Sequence, residues 1–126
     1  MIPVSSLIKV SDNSGARILN CIFISRAARY AFPGVLIKAS VRRVLVRQNL
    51  KKSRVLKKGQ ICQALLVRTV YGFKRWGNFY FQCATNAAII VNKSFLPLGT
   101  RLFGPVFREI RGKKFFKIIS KAEVVL

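Results

Sequence analysis

Groups able to move a proton or hold a metal are scarce in this chain. It has no His, and its three acidic side chains, Asp12, Glu109 and Glu123, are scattered along 126 residues. General acid–base catalysis draws mostly on His and on carboxylates tuned by close neighbours, so the inventory argues against an enzyme. Cys21, Cys62 and Cys83 stand at long, irregular intervals. Without a CxxC pair or a His they build no zinc site, and buried thiols in a reducing compartment are the expected reading. No Gly-rich phosphate loop of the nucleotide-binding kinds occurs. No metal and no cofactor is implied.

The chemistry lies instead in the cations. Lys and Arg number 24 against 3 acids, a net charge of +21. A surface so charged repels its own copies and calls for a polyanion. Nucleic acid is the first candidate and an anionic membrane the second. The cations fall into groups: Arg26 and Arg29; Arg42 and Arg43; Lys51, Lys52, Arg54, Lys57 and Lys58; Arg68, Lys74 and Arg75; and a C-terminal set of Arg101, Arg108, Arg111, Lys113, Lys114 and Lys117. Such dispersal suits a protein wedged among RNA segments better than a reader that concentrates its contacts on one element. Trp76, beside Arg75, could stack on a base, whereas Phe79 and Phe81 are expected to pack a hairpin.

These groups need a scaffold, and the apolar share of 52% supplies a core for one domain over residues 1–126. Strands are expected at Leu7–Val10, Arg17–Ser25, Val35–Val46, Ile61–Val70 and Ala87–Val91, with a slip of phase, hence a bulge, between Val41 and Val44. Asp12-Asn13-Ser14-Gly15 and Pro33-Gly34 are turn signals, and Tyr71–Gln82 reads as a hairpin bending at Gly77-Asn78. Phe115, Ile118, Ile119 and Ala122 fall at helical spacing opposite Lys113, Lys114, Lys117 and Lys121, which predicts a short amphipathic helix. An earlier helical turn is expected near Pro105–Ile110, with Pro105 at its first position. Several short strands indicate an all-β barrel or sandwich. The expected core is Ile22, Ile24, Ile37, Val41, Leu65, Val67, Ile89 and Val91, and a register error of one would swap every face. No run of 18 uncharged apolar residues predicts a membrane-spanning helix. The opening residues show neither a secretory signal nor an Arg-rich presequence.

Several strings, in order along nearly the whole chain, resemble the universal large-subunit ribosomal protein number fourteen family. They are Asp12-Asn13-Ser14-Gly15-Ala16-Arg17, Lys57-Lys58-Gly59, Ala64-Leu65-Leu66-Val67-Arg68-Thr69, and Asn86-Ala87-Ala88-Ile89-Ile90-Val91-Asn92. The closing block is the closest: Leu98-Gly99-Thr100-Arg101-Leu102-Phe103-Gly104-Pro105-Val106, then Arg108-Glu109-Ile110-Arg111 and Lys114-Phe115-Phe116-Lys117-Ile118-Ile119-Ser120.

The resemblance implies a mainly β fold: a five-stranded β-barrel with a projecting β-ribbon and short C-terminal helices at about 104–122. It implies a structural role in the large ribosomal subunit, with large-subunit rRNA, neighbouring ribosomal proteins and small-subunit rRNA across the interface as partners. A factor that silences subunit joining would dock on a face that includes Phe107, Arg108 and Lys117, with Arg111, Lys113 and Lys114 beside it. Phe107 departs from the small polar residue commoner there. The expected rRNA contacts are Asn13, Ser14, Arg17, Arg26, Arg29, Arg42, Arg43, Lys51, Lys52, Arg54, Lys57, Lys58, Arg68, Lys74, Arg75, Trp76 and Arg101. The segment before Pro33-Gly34 is shorter than usual, and that from Phe79 to Thr85 is longer and lacks the usual aspartate-glycine turn. With the excess charge, these departures point to an organellar member, mitochondrial ahead of plastid or bacterial. The rival reading is a free single-strand nucleic-acid-binding barrel, which would expose several aromatics on one sheet face. Free of RNA, the chain is expected to be poorly soluble or partly disordered in its hairpin and Lys51–Lys58 loop.

Overall fold

A computed structural model describes residues 1–25, 28–45, 56–112 and 114–126. Five strands close into a barrel: β1 (Leu7–Val10), β2 (Ala16–Ile24), β3 (Leu36–Val44), β4 (Ile61–Arg68) and β7 (Ala87–Val91). Neighbours run antiparallel except at the seam, where β1 and β7 are parallel through Lys9 with Ala87 and Val10 with Ala88. Closure leaves the barrel without a free edge. A two-stranded ribbon, β5 (Phe73–Lys74) and β6 (Tyr80–Phe81), is inserted between β4 and β7. This is the architecture that the sequence resemblance implies.

The barrel is narrow, and small side chains let it close. Its interior holds Ala39, Ala64, Ala88 and Cys21 among Ile8, Leu19, Ile24, Ile37, Val41, Leu66 and Ile90. Alternation holds along β3, where Ile37, Ala39 and Val41 point inward. Along β2 it breaks. Cys21 pairs with Ala39 but Phe23 pairs with Lys38, so Ile22 is an extra residue and is 43% exposed. That corrects the core assignment of Ile22. The expected bulge near Val41–Val44 is present: Ile18 pairs with Arg43 and Leu19 with Val41, leaving Arg42 unpaired. A further shift leaves out Arg17, between Ala16, which faces Val44, and Ile18.

Strands β4 and β7 are buried on both faces. Ala64, Leu66, Ala88 and Ile90 fill the barrel. Leu65, Val67, Ile89 and Val91 point outward, as the other phase of the register, and are covered by Leu102, Val106, Ile110 and Ile118. The C-terminal segment is thus the lid of a second core. Its helical content is shorter than the periodicity predicts: a 3-10 turn at Arg108–Ile110 and a helix α1 at Phe116–Ile119. Pro105 precedes the 3-10 turn and does not begin it. The apolar face is nonetheless as expected, with Ile118 buried and Phe115, Ile119 and Ala122 packed around it. Among the described residues, no helix is long and apolar enough to cross a membrane.

Candidate nucleic-acid interface

The Asp12–Gly15 turn after β1 is built for holding. Asp12 Oδ1 accepts the Ser14 N–H at 2.8 Å, and Oδ2 accepts the Ile90 N–H at 2.9 Å. The second bond has a clear cause. Strand β1 ends at Val10, so the ladder with β7 stops at Ala88 and leaves the Ile90 N–H without a strand partner. Asp12 supplies the missing acceptor. The carboxyl is buried, and burial raises its pKa even though the Ser14 and Ile90 bonds oppose that shift. Asn13 completes the staple. Its Oδ1 accepts the Thr100 and Arg101 N–H groups at 2.8 and 3.1 Å, and its Nδ2 donates to Thr100 Oγ1 at 2.7 Å. Ser14 is itself buried. The Asn13 side chain, although exposed, is thus engaged with Thr100 and Arg101, and the Ser14 N–H with Asp12. Asp12 is the residue that sequence reasoning passed over, and its place in the turn motif was the available signal.

Arg17, next in that motif, does face solvent. It belongs to a basic surface. Arg42, Arg43 and Lys58 line a groove of about 840 Å³ together with Ser5, Leu7, Ile18, Asn20 and Val44. Arg43 also lines an adjoining hollow with Arg17 and Leu45. Two of the three bulges create this cluster. Each adds one residue to a strand, and the added residues, Arg17 and Arg42, flank Arg43 on the same patch. No carboxylate lines either hollow among the described residues. Guanidinium groups in a shallow open groove, with Asn20 and Ser5 as neutral hydrogen-bonding partners, suit phosphate oxygens.

Two of the expected RNA-binding arginines are engaged internally. Arg68 Nη1 donates to the carbonyls of Phe103 and Pro105 at 2.8 and 3.0 Å, and burial lowers its pKa. Arg75 forms a bidentate pair with Glu109 at 2.6 and 2.7 Å and donates to the Leu126 carbonyl at 2.9 Å. Its guanidinium lies 4.0 Å from the Phe81 ring centre. Arg68 fastens the Phe103–Pro105 loop to the barrel, and Arg75 fastens the ribbon to the C-terminal segment. Trp76, by contrast, is 99% exposed. Phe81 packs as expected, while Phe79 is exposed and does not.

The remaining candidates are dispersed. Arg29, Lys57, Lys74 and Arg101 are exposed at separate places, Arg101 near Lys121 and Glu123. Arg108, Arg111, Lys114 and Lys117 are exposed along the C-terminal segment. Phe107 is not: it is 1% exposed, with its ring edge-on to Phe73 at 5.3 Å between centres. The ring is sealed in the core, unlike the four cations expected to share a face with it. Arg26, Lys51, Lys52, Arg54 and Lys113 lie outside the described residues.

The other chemistry is muted. The three cysteines are free. Burial, helped by the nearby Asp12 charge, pushes the Cys62 thiol up to about 11, and burial also raises Cys21 and Cys83. Among the described residues, no group of three or more His, Cys, Asp or Glu could hold a metal.

The fold and its surface define a small closed β-barrel with a cationic groove, a clamped ribbon and a C-terminal lid. The family model for Ribosomal protein L14p/L23e matches residues 1–126, and the chain belongs to that family. It is 46% identical, over all of both chains, to "Large ribosomal subunit protein uL14m" of Acanthamoeba castellanii. It is 45% identical to the protein of the same name from Acanthamoeba polyphaga, covering 88% of this chain and 97% of that one. The suffix marks the mitochondrial form, which supports the mitochondrial assignment over the plastid and bacterial ones.

Proposed function

We propose that this chain is a structural constituent of the mitochondrial large ribosomal subunit that binds its rRNA through the Arg17–Arg42–Arg43–Lys58 groove. The observation that carries the reading is the two bulges at Arg17 and Arg42 in the β2–β3 pair. They gather three guanidinium groups and an ammonium group on a patch without a facing acid among the described residues. The family supplies the setting, the large subunit and its neighbouring proteins. The C-terminal cations Arg108, Arg111, Lys114 and Lys117 form a second exposed row. We assign it to the subunit interface and to bridges with small-subunit rRNA. We assign the docking of a silencing factor to these same cations, beside the buried Phe107.

The rival, a free single-strand-binding barrel, needs several aromatics on one sheet face. The barrel strands carry only Phe23. Replacing Arg17, Arg42 and Arg43 together by Ala tests the proposal. Each lost phosphate contact should flatten the log–log salt dependence of RNA binding by roughly 0.7–0.9, so by about 2–3 for the triple variant. In mitochondria the triple variant should leave the large-subunit fractions on a sucrose gradient. A variant that keeps its salt slope and runs stoichiometrically with large subunits would remove the groove from the rRNA interface.

A further inference from the structure

We infer that the ribbon tip is a stacking site for an unpaired nucleotide, with Trp76 as the contact and the Arg75–Glu109 pair as the device that aims it. The inference rests on the rRNA-binding reading above. It adds the kind of RNA taken and the residues that hold the contact in place.

The ribbon has two faces with different tasks. Phe73, Arg75 and Phe81 turn toward the body of the protein. Phe73 meets the sealed Phe107 ring edge-on, Phe73 and Phe81 lie 6.5 Å apart, and Arg75 sits over Phe81 while gripping Glu109 through two bonds. Lys74 and Tyr80 pair with each other across the strands and turn to solvent. The turn is tight. The Arg75 N–H donates to the Phe79 carbonyl at 2.9 Å, and Gly77 and Asn78 have φ of 86° and 61°. Only three residues, Trp76 to Asn78, therefore project beyond a base anchored to the barrel, and the indole stands at their head.

Arg75 cannot serve a phosphate while it is so engaged; it is a positioning residue. A fully exposed Trp forgoes the largest apolar burial any side chain offers. The flanking groups say what would cover it. Lys74 beside the tip and the exposed ring of Phe79 combine a cation with a π-face. A nucleotide matches both, its base on the indole and its phosphate on Lys74. A duplex does not, because its base faces are already stacked. An apolar protein surface would leave Lys74 without a partner.

Trp76 is the sole Trp of the chain, so fluorescence excited at the red edge, where the three Tyr do not absorb, reports the tip alone. The full chain is titrated with a dye-labelled single-stranded oligoadenylate, a matched RNA duplex and heparin. Dye anisotropy reads RNA binding anywhere, and Trp quenching reads stacking. The single strand should quench, while duplex and heparin should bind without comparable quenching. Trp76→Ala should weaken single-strand affinity about 5- to 150-fold, the range for loss of one stacked base, and Trp76→Phe should keep most of it. With circular dichroism unchanged, Glu109→Gln should lower the quenching per bound strand, and Arg75→Lys, which keeps a charge for Glu109, should lower it less. Dye-detected binding without quenching, or equal quenching by heparin, overturns the stacking site and spares the groove. No RNA binding by either signal overturns both. Full quenching in the Glu109→Gln and Arg75→Lys proteins removes the positioning role.

Discussion

Replacing Asp12 by Ala removes two acceptors at once, and the cost can be worked from the geometry. The Ser14 and Ile90 N–H groups, now bonded at 2.8 and 2.9 Å, would be left in a buried site. Each orphaned buried donor costs about 1–3 kcal/mol. Relief from burying a carboxyl whose pKa is raised offsets part of this. A net loss of about 2–4 kcal/mol follows, or roughly 10 °C in Tm for a chain of this length. Urea unfolding should show a lower midpoint with an unchanged slope. The pH dependence adds a signature. Because burial raises the pKa, the folded state holds the Asp12 proton more tightly than the unfolded state does. Asp12 therefore contributes most below the ordinary carboxylate value of 3.8, and its contribution falls as pH rises from there through the folded pKa. The wild type should gain on Asp12→Ala as the solution is acidified. A loss under about 0.5 kcal/mol, a typical surface effect, would refute the staple. So would a stability difference that grows as pH rises.

Three further outcomes are expected. Leu65→Ala and Leu66→Ala should each cost about 2–5 kcal/mol in urea unfolding despite pointing to opposite faces, because both are fully buried; Ile22→Ala, on the exposed bulge, should cost under about 1 kcal/mol. Cys62, with its pKa pushed up to about 11, should resist thiol reagents at pH 8 in the native protein and react at the rate of a free thiol after unfolding. Gly34→Ala should destabilise by more than about 1 kcal/mol in thermal unfolding, since Gly34 has φ of 88° and a Cβ there would meet the Glu109 carbonyl at 2.9 Å.

The elements were legible because their signals are local. Strand β7, Ala87–Val91, follows from an apolar run, and the Arg42 bulge from the loss of phase beside it. The faces were less legible. Leu65 and Leu66 are indistinguishable as letters, and only the C-terminal lid, packed from far along the chain, explains why both are buried. The site divided in the same way. Arg17, Arg42 and Arg43 could be picked out by charge, yet their meeting in one place depends on the β2–β3 register. Arg68 and Arg75 carry the same charge but find carbonyls and Glu109, partners more than 30 residues away that composition cannot reveal. Helix α1 fell short of its periodicity because isolated short helices are marginal and packing set its length.

The double-faced wall of β4 and β7 bears on how the chain is made. On a translating ribosome, Leu65, Val67, Ile89 and Val91 emerge well before Leu102, Val106, Ile110 and Ile118, which shield them. For that interval a finished cylinder would wear an oily outer stripe, adhesive toward other nascent chains. Shortening the chain ahead of Ile118 would make that interval permanent, so such truncations should yield aggregates rather than small soluble barrels.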